Sequence, residues 1–179
     1  MLSMYTNITD ISKWLNAHRV GSYTVRPTLW GGTPDSQFAP VAWVVDVVGH
    51  VELEEYSGKY LPVQFGKVTG IFNAVNSRLT TLNGMPRSIG SWFSCRGCAL
   101  KSLSGIDKRV DYINGEVFLD VDMTHILGLL LIDGIKSFTM PDSPESRCLE
   151  IMNKHLVTHD IIACQDELID AGFINQARL

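Results

Sequence analysis

Two cysteines three residues apart, Cys95 and Cys98, are the residues of this 179-residue sequence best suited to redox or metal chemistry. A CxxC pair serves as a redox dithiol or as half of a zinc site. A zinc site needs a second pair of ligands, but Cys148 and Cys164 stand alone and the 5 histidines are scattered. We therefore favour a packing role for the pair, with metal binding and redox activity as alternatives, and we predict neither a metal nor a cofactor.

The carboxylates of Glu52 and Glu54 are close enough in sequence to suggest a paired acid and base. They alternate, however, with Val51 and Leu53, which is typical of the solvent face of a half-buried strand. No histidine adjoins a serine or cysteine in a recognisable nucleophile motif, and no phosphate-cradling glycine motif is present. We therefore predict no catalytic residue and no enzyme activity.

The larger pattern that positions these residues is an internal repeat. Residues 68–85 align without a gap with residues 89–106, at an offset of 21 residues. The matched pairs are Phe72 with Phe93, Ala74 with Cys95, Ser77 with Cys98, Leu79 with Leu100, Leu82 with Leu103, Gly84 with Gly105 and Met85 with Ile106. A weaker copy precedes them, with Gly58 in place of the expected leucine. The following copy, at Val117, comes about three residues late.

Each strong copy has the order apolar-x-apolar-x-x-(Ser or Cys)-x-Leu-x-x-Leu. The first apolar pair predicts a short strand whose alternate side chains point inward. Ser77 or Cys98 then satisfies backbone groups in the turn, the two leucines fill the layer below, and Gly84 or Gly105 permits a tight return. One coil cannot bury its apolar face alone, so neighbouring coils must stack.

These repeats resemble the short leucine-rich-repeat-like proteins encoded by tailed bacteriophages and prophages. The matching segments are residues 61–68, 68–74, 79–86, 89–95, 100–105 and 160–173. The resemblance extends over most of residues 41–179, implies a short solenoid of phage origin, and carries over no catalytic residue. Gly58, Ala74 and Ser77 replace the family's usual leucine, cysteine and asparagine, which predicts an imperfectly regular solenoid.

An N-terminal helix is expected to cover the open first coil. Thr9 or Asp10 is the predicted N-cap, the helix runs to about His18, and Gly21 is a suitable stop. The apolar face of this helix consists of Ile11, Trp14 and Leu15.

A loop rich in glycine and proline is predicted at residues 26–40. It contains Trp30 and Phe38. Two interpretations are open: these aromatic side chains either fold back onto the core or are anchors for a partner.

The C-terminal part predicts a helical cap. Residues 124–131 form a short helix or a strand, and residues 135–140 supply one further strand. A helix follows from the N-cap Ser143 to about Leu156, and a last helix covers residues 160–171. The apolar face of the last helix consists of Ile161, Cys164, Leu168 and Ile169. Two such helices after a solenoid are most simply its cap.

Composition limits the function classes. The net charge is −4 and lysines and arginines are scattered, with Lys108-Arg109 flanked by Asp107 and Asp111, so we predict no nucleic-acid partner. No apolar run reaches the length of a membrane span, and the first residues do not resemble a secretory signal. We therefore expect no membrane association, a cytoplasmic protein (in the host cell if phage-encoded), and free thiols.

The sequence thus predicts an α+β fold, a short leucine-rich-repeat-like β-solenoid with an N-terminal helix and a C-terminal two-helix cap. Residues 1–40 form the first cap, 41–141 the solenoid and 142–179 the second cap of one compact domain. We predict a non-catalytic module that binds a host or phage protein. The candidate contacts are Asn73, Trp92, Ser94 and Arg96 on the strands, with Trp30 and Phe38 in the loop. A structural or virion-associated role, including self-association into a homo-oligomer, is the alternative.

Overall fold

The 21-residue repeat is one coil of a parallel β-solenoid in the computed structural model of the chain, which describes residues 7–29, 41–140 and 146–179. The strands are β1 (Ser22–Leu29), β2 (Val41–Val48), β3 (Val51–Glu52), β4 (Gln64–Val68), β5 (Phe72–Asn73), β6 (Ser88–Ile89), β7 (Phe93–Ser94), β8 (Tyr112–Ile113), β9 (Glu116–Phe118) and β10 (Ser137–Thr139). The helices are α1 (Ile8–Ala17), α2 (Arg147–Leu156) and α3 (Ile161–Asp170), with 3-10 segments at Ile106–Lys108 and Leu127–Leu131.

The coils build two sheets on opposite sides of one core. Sheet A has the order β1-β2-β4-β6-β8, and sheet B has the order β10-β9-β7-β5-β3. All neighbouring strands are parallel except β1 and β2, which form an antiparallel pair. The chain is therefore a mixed α+β fold with a solenoid of about five coils, as the repeat predicted.

Equivalent residues of successive coils lie in adjacent layers. Phe72 pairs with Phe93 across β5 and β7, and their ring centroids are 6.3 Å apart. Both rings are buried, and burying a phenylalanine contributes about 1.5–3 kcal/mol. Leu79 and Leu100 are buried as well, at 3% and 6% exposure. The predicted stacking of equivalent positions is confirmed.

The late fourth copy has a local cause. Phe93 pairs with Val117, whereas the preceding coils keep the 21-residue step. The span from Leu103 to Ile113 takes ten residues, where the coil before takes seven from Leu82 to Ile89. The additional residues lie between Ile106, which matches Met85, and Ile113, where the chain passes through the 3-10 segment at Ile106–Lys108.

The turns repeat their backbone conformation along with the coil. Gly84 and Gly105 have φ angles of 87° and 72°, which permits the predicted tight return. A second series of positive φ angles falls on Glu55, Asn76 and Gly97. Asn and Gly tolerate this region, while a glutamate there is disfavoured, so the first coil keeps the same turn with the least favourable of the three residues.

The first coil also differs at Gly58. The ring of Tyr56 lies over Gly58, where a Cβ atom would clash with it. This ring packs edge-on against Trp14 of α1, with centroids 5.9 Å apart. Tyr56 thus takes the space of the missing leucine and joins the coil to its N-terminal cap.

Helix α1 covers the core as expected, since Ile11, Trp14 and Leu15 are buried. Its predicted N-cap was wrong: Asn7, not Thr9 or Asp10, accepts the Asp10 N–H at 2.8 Å. Asn7 is the residue whose side chain can reach the free N–H groups of the first turn.

The predicted loop at residues 26–40 was wrong over its first part, because residues 26–29 belong to strand β1. Pro27 lies opposite Trp43 in this edge strand, a position that proline tolerates. Trp30 and Phe38 lie outside the described residues.

At the C-terminus one open alternative is resolved and two helical predictions need correction. Of the helix or strand expected at residues 124–131, the structure has a 3-10 helix at Leu127–Leu131. Helix α2 begins at Arg147 with N-cap Ser146, not after Ser143, which lies outside the described residues. Helix α3 has the predicted cap Asp160 and ends before Gly172, but Ile169 is 45% exposed.

The outermost strand β10 is capped by a side chain. Asn153 of α2 accepts the Phe138 N–H at 2.8 Å and donates to the Phe138 carbonyl at 3.0 Å. One amide group therefore replaces the backbone of a further strand, and it protects this edge from pairing with another chain.

Helices α2 and α3 are joined by ionic contacts to one carboxylate. Glu167 lies 2.6 Å from Lys154 Nζ, 2.9 Å from His155 Nε2 and 3.5 Å from Arg147 Nη2. The hydrogen bonds from Lys154 and His155 lower the pKa of Glu167 from 4.5 to about 2.

We expect Asn153→Ala to destabilise the protein by about 1–3 kcal/mol, because the backbone N–H and the carbonyl of Phe138 both lose their hydrogen-bond partner. Asn114→Ala is the matched control, since Asn114 is exposed and donates only one long bond, 3.4 Å to the Gly90 carbonyl. Urea unfolding of the three proteins measures the difference. Equal stability of the two variants would contradict the capping role of Asn153.

Stability should also fall on acidification through Glu167. Because its folded-state pKa is lowered, the ionic contact stabilises the protein above pH 4.5 and is lost as the pH falls through about 2. Glu167→Gln should therefore lower the melting temperature at neutral pH. The difference in melting temperature between wild type and this variant should become smaller as the pH falls from 4.5 to about 2. Asp166→Asn, an exposed neighbour, is the control; a gap that stays constant with pH would refute this assignment.

Candidate binding surface

The outer face of sheet B is formed by residues that alternate with the buried column of Phe72, Phe93 and Val117. Its central row runs across all five strands. From one edge to the other the row is Glu52, Asn73, Ser94, Phe118 and Thr139. We call this surface the sheet B face.

The predicted contact Trp92 lies at the middle of the sheet B face and is half-buried. Its ring meets Phe118 edge-on, with centroids 5.6 Å apart at an angle of 83°. Ile71 and Val75, also half-buried, precede and follow β5. Partly exposed aromatic and aliphatic side chains thus cluster at the centre of the face.

Phe118 was missed among the candidate contacts. It pairs with Ser94 only after the three-residue shift of the fourth coil. An alignment that allowed for this shift would have placed it on the same row as Asn73 and Ser94.

The expected exposure of Ser94 is wrong, because it is only 2% exposed. Its side chain faces outward but is short, and it lies between Asn73 and Phe118 on the flanking strands. Cross-strand neighbours are about 5 Å apart, so the longer side chains close over the serine. Ser94 is therefore part of the floor of this face.

Asn73 and Arg96 are both half-buried on this side of the molecule. Asn73 Oδ1 accepts the Val75 N–H at 3.2 Å, which orients the amide group. Arg96 follows β7 and accepts the Asn76 N–H through its carbonyl at 2.7 Å. The amide group of Asn73 and the backbone of Arg96 are therefore fixed on this side of the molecule.

The rim of the sheet B face is acidic. Glu52, Glu54 and Glu116 are exposed. Asp120 is half-buried and accepts the Gly97 N–H with both oxygens, at 3.1 and 2.9 Å. An aromatic centre within a negative rim complements a partner with an apolar patch bordered by lysine or arginine.

The CxxC pair lies on the inner side of the same coil. Cys98 donates to the Ala74 carbonyl at 2.9 Å, and its Sγ lies 3.1 Å from Ser77 Oγ in the coil below. Burial raises the pKa of Cys98 and raises that of Cys95 well above its ordinary value. The thiolate that nucleophilic or zinc chemistry requires is therefore suppressed at neutral pH. Among the described residues, no group of three or more His, Cys, Asp or Glu is placed to hold a metal ion.

We expect the double variant Cys95→Ala/Cys98→Ser, which restores the residues of the preceding coil, to fold with a loss of about 1 kcal/mol. A serine at position 98 can still donate to Ala74, and the cavity left by Cys95 is small. Leu100→Ala in the same coil is the comparison and should cost about 2–5 kcal/mol. Stoichiometric zinc in the purified wild type, lost in the double variant, would contradict a packing role.

No protein-family model, curated protein or solved structure matches this chain. None of the helices within residues 7–29, 41–140 and 146–179 combines the length and the apolar character that crossing a membrane requires.

Proposed function

We propose that this chain is a non-catalytic protein-binding module whose docking surface is the sheet B face. The observation that carries the proposal is the contact between Trp92 and Phe118 at the centre of this face. Half-buried aromatic residues on a rigid sheet bury much area on binding at low conformational cost. Arg96, which follows β7 in the same coil, adds a residue type that is enriched where binding energy concentrates.

The partner that fits is a protein with an apolar patch and a basic rim, because Glu52, Glu54 and Glu116 border the aromatic centre. The resemblance to phage-encoded repeat proteins favours a host protein in the cytoplasm, and inhibition of a defence system is a function of this kind. The same resemblance supports describing the coils as leucine-rich-repeat-like. The stacked buried positions Ser77 and Cys98 agree with that description.

The alternative is a structural or virion-associated protein that assembles with itself. Edge-to-edge growth through β10 is disfavoured, because Asn153 already occupies the backbone groups of Phe138. Light scattering on the purified chain and mass spectrometry of whole particles separate this alternative from a monomeric binding module.

Trp92→Ala should weaken binding of the partner by about 10- to 100-fold, as expected for a central aromatic contact. Tyr112→Ala is the matched control, since Tyr112 is an aromatic residue on sheet A with 38% exposure. Wild type, Trp92→Ala and Tyr112→Ala are used in parallel as bait in host lysate, and retained proteins are quantified by mass spectrometry. Their melting temperatures establish that all three are folded.

The proposal is supported if wild type and Tyr112→Ala retain a host protein that Trp92→Ala does not retain. The dissociation constants of the three variants for that purified protein should then show the same order. Retention that is the same for all three baits would refute the proposed surface. A chain found assembled in particles or as a large oligomer would instead favour the structural role.

A further inference from the structure

An open groove of about 770 Å³ lies along sheet A, on a different side of the molecule from the sheet B face. It is bordered by β1, β2, β4 and β6 and by the 3-10 segment of the fourth coil. Buried core side chains, among them Val63, Leu82 and Met85, contribute to its lining. The groove therefore combines an apolar floor with polar walls.

Five cationic side chains line this groove: Arg26, Lys67, Arg87, Lys108 and Arg109. Arg26 pairs with Asp46 at 2.5 Å, and Arg87 pairs with Asp111 at 3.0 Å. Within the described residues, no salt bridge neutralises Lys67, Lys108 or Arg109. A local excess of positive charge thus faces one concavity in a chain whose net charge is −4.

The carboxylate within the groove does not cancel this excess. Burial raises the pKa of Asp46, but hydrogen bonds from Arg26 and from the Lys67 N–H outweigh it, so the pKa is lowered overall. Asp46 is therefore ionised and engaged with the groups that it orients. Asp46 also attracts the charge of Lys67. Within the described residues, Lys108 and Arg109 are therefore the groove cations that meet an external anion without first leaving a carboxylate.

The break in the repeat supplies two of these cations. Arg87 donates to the Lys108 carbonyl at 3.4 Å, which holds the longer fourth coil against the groove. Lys67 of β4 lies opposite Ser88 of β6. Since Ser88 directly follows Arg87 in the chain, Lys67 and Arg87 are close to each other on sheet A. The additional residues of this coil thus place Lys108 and Arg109 next to cations from two preceding coils.

We infer that this groove binds a phosphorylated small molecule of nucleotide size. Phosphate groups are recognised in proteins by the ammonium group of lysine and the guanidinium group of arginine. The volume of the groove lies in the range of small-ligand sites. Trp43, half-buried against the core, forms part of the lining beside these cations. A long polyanion fits less well, because the cations surround a concavity and the whole chain is acidic.

The test measures binding to the full chain by calorimetry at about 25 and about 200 mM salt. The probes are adenosine and guanosine triphosphates, adenosine, inorganic phosphate, an octaglutamate peptide and a single-stranded oligonucleotide. We expect the nucleoside triphosphates to bind, adenosine not to bind, and phosphate to bind more weakly. The affinity should fall with salt.

Lys108→Glu/Arg109→Glu should weaken triphosphate binding by about 10-fold or more, because two attractive charges become repulsive. Lys136→Glu/Arg178→Glu makes the same charge change at exposed positions that do not line the groove, and it should leave affinity unchanged. Far-UV circular dichroism verifies that both variants fold.

Absence of triphosphate binding by wild type, or equal affinity in the two charge variants, would overturn the inference. Binding of only the peptide or only the oligonucleotide would overturn it in favour of a macromolecular partner for the groove. Trp92→Ala should retain nucleotide affinity, so this outcome is independent of the function proposed for the sheet B face.

Discussion

The rest of this molecule depends on one constraint: equivalent inward-facing side chains of neighbouring coils must stack on one another. Most strands of the coils have only two or three residues, too few to be stable alone. They depend on the coils on either side for hydrogen bonds and for the burial of their inward side chains. Phe72 and Phe93 lie one layer apart for this reason. Once the inward positions are occupied, alternation along the strand decides which residues face solvent.

A stack of this kind has two ends, and each end is closed by different chemistry. At the N-terminal end, Trp14 and the ring of Tyr56 cover the first coil with apolar surface. At the C-terminal end, α2 covers the last coil, and Asn153 replaces the missing strand with its amide group. The caps therefore satisfy the core and the backbone together, and a repeat structure of limited length can be a discrete molecule.

The two sheets present surfaces of different chemistry from the same core. The sheet B face has an aromatic centre and an acidic rim, while the groove along sheet A gathers cations such as Lys67 and Arg109. This separation arises because each coil contributes one outward segment to each side. The longer fourth coil is the exception to the regular repeat, and it changes the chemistry of one side without disturbing the hydrogen-bonded register of the other.

The sequence by itself determined the coil, because a period in apolar residues records which side chains must share a core. It predicted the pairing of equivalent positions, the inward role of Ser77 and Cys98, and the helices at both ends. It did not indicate strand β1, whose partner β2 lies across a turn-rich segment. Glycine and proline in this part of the sequence predict a loop. The pairing of β1 with β2 is a tertiary contact, which the local sequence does not record.

Only the tertiary structure decided the surfaces. Ser94 faces outward in the alternation but is covered by longer neighbours from other coils, and a single strand does not record their size. Lysines and arginines that look scattered in the sequence gather at one groove, because residues separated by one coil become neighbours when the coils stack. The burial of a surface residue and the charge around it depend on residues that are distant in the chain. They are therefore known only when the fold shows which residues become neighbours.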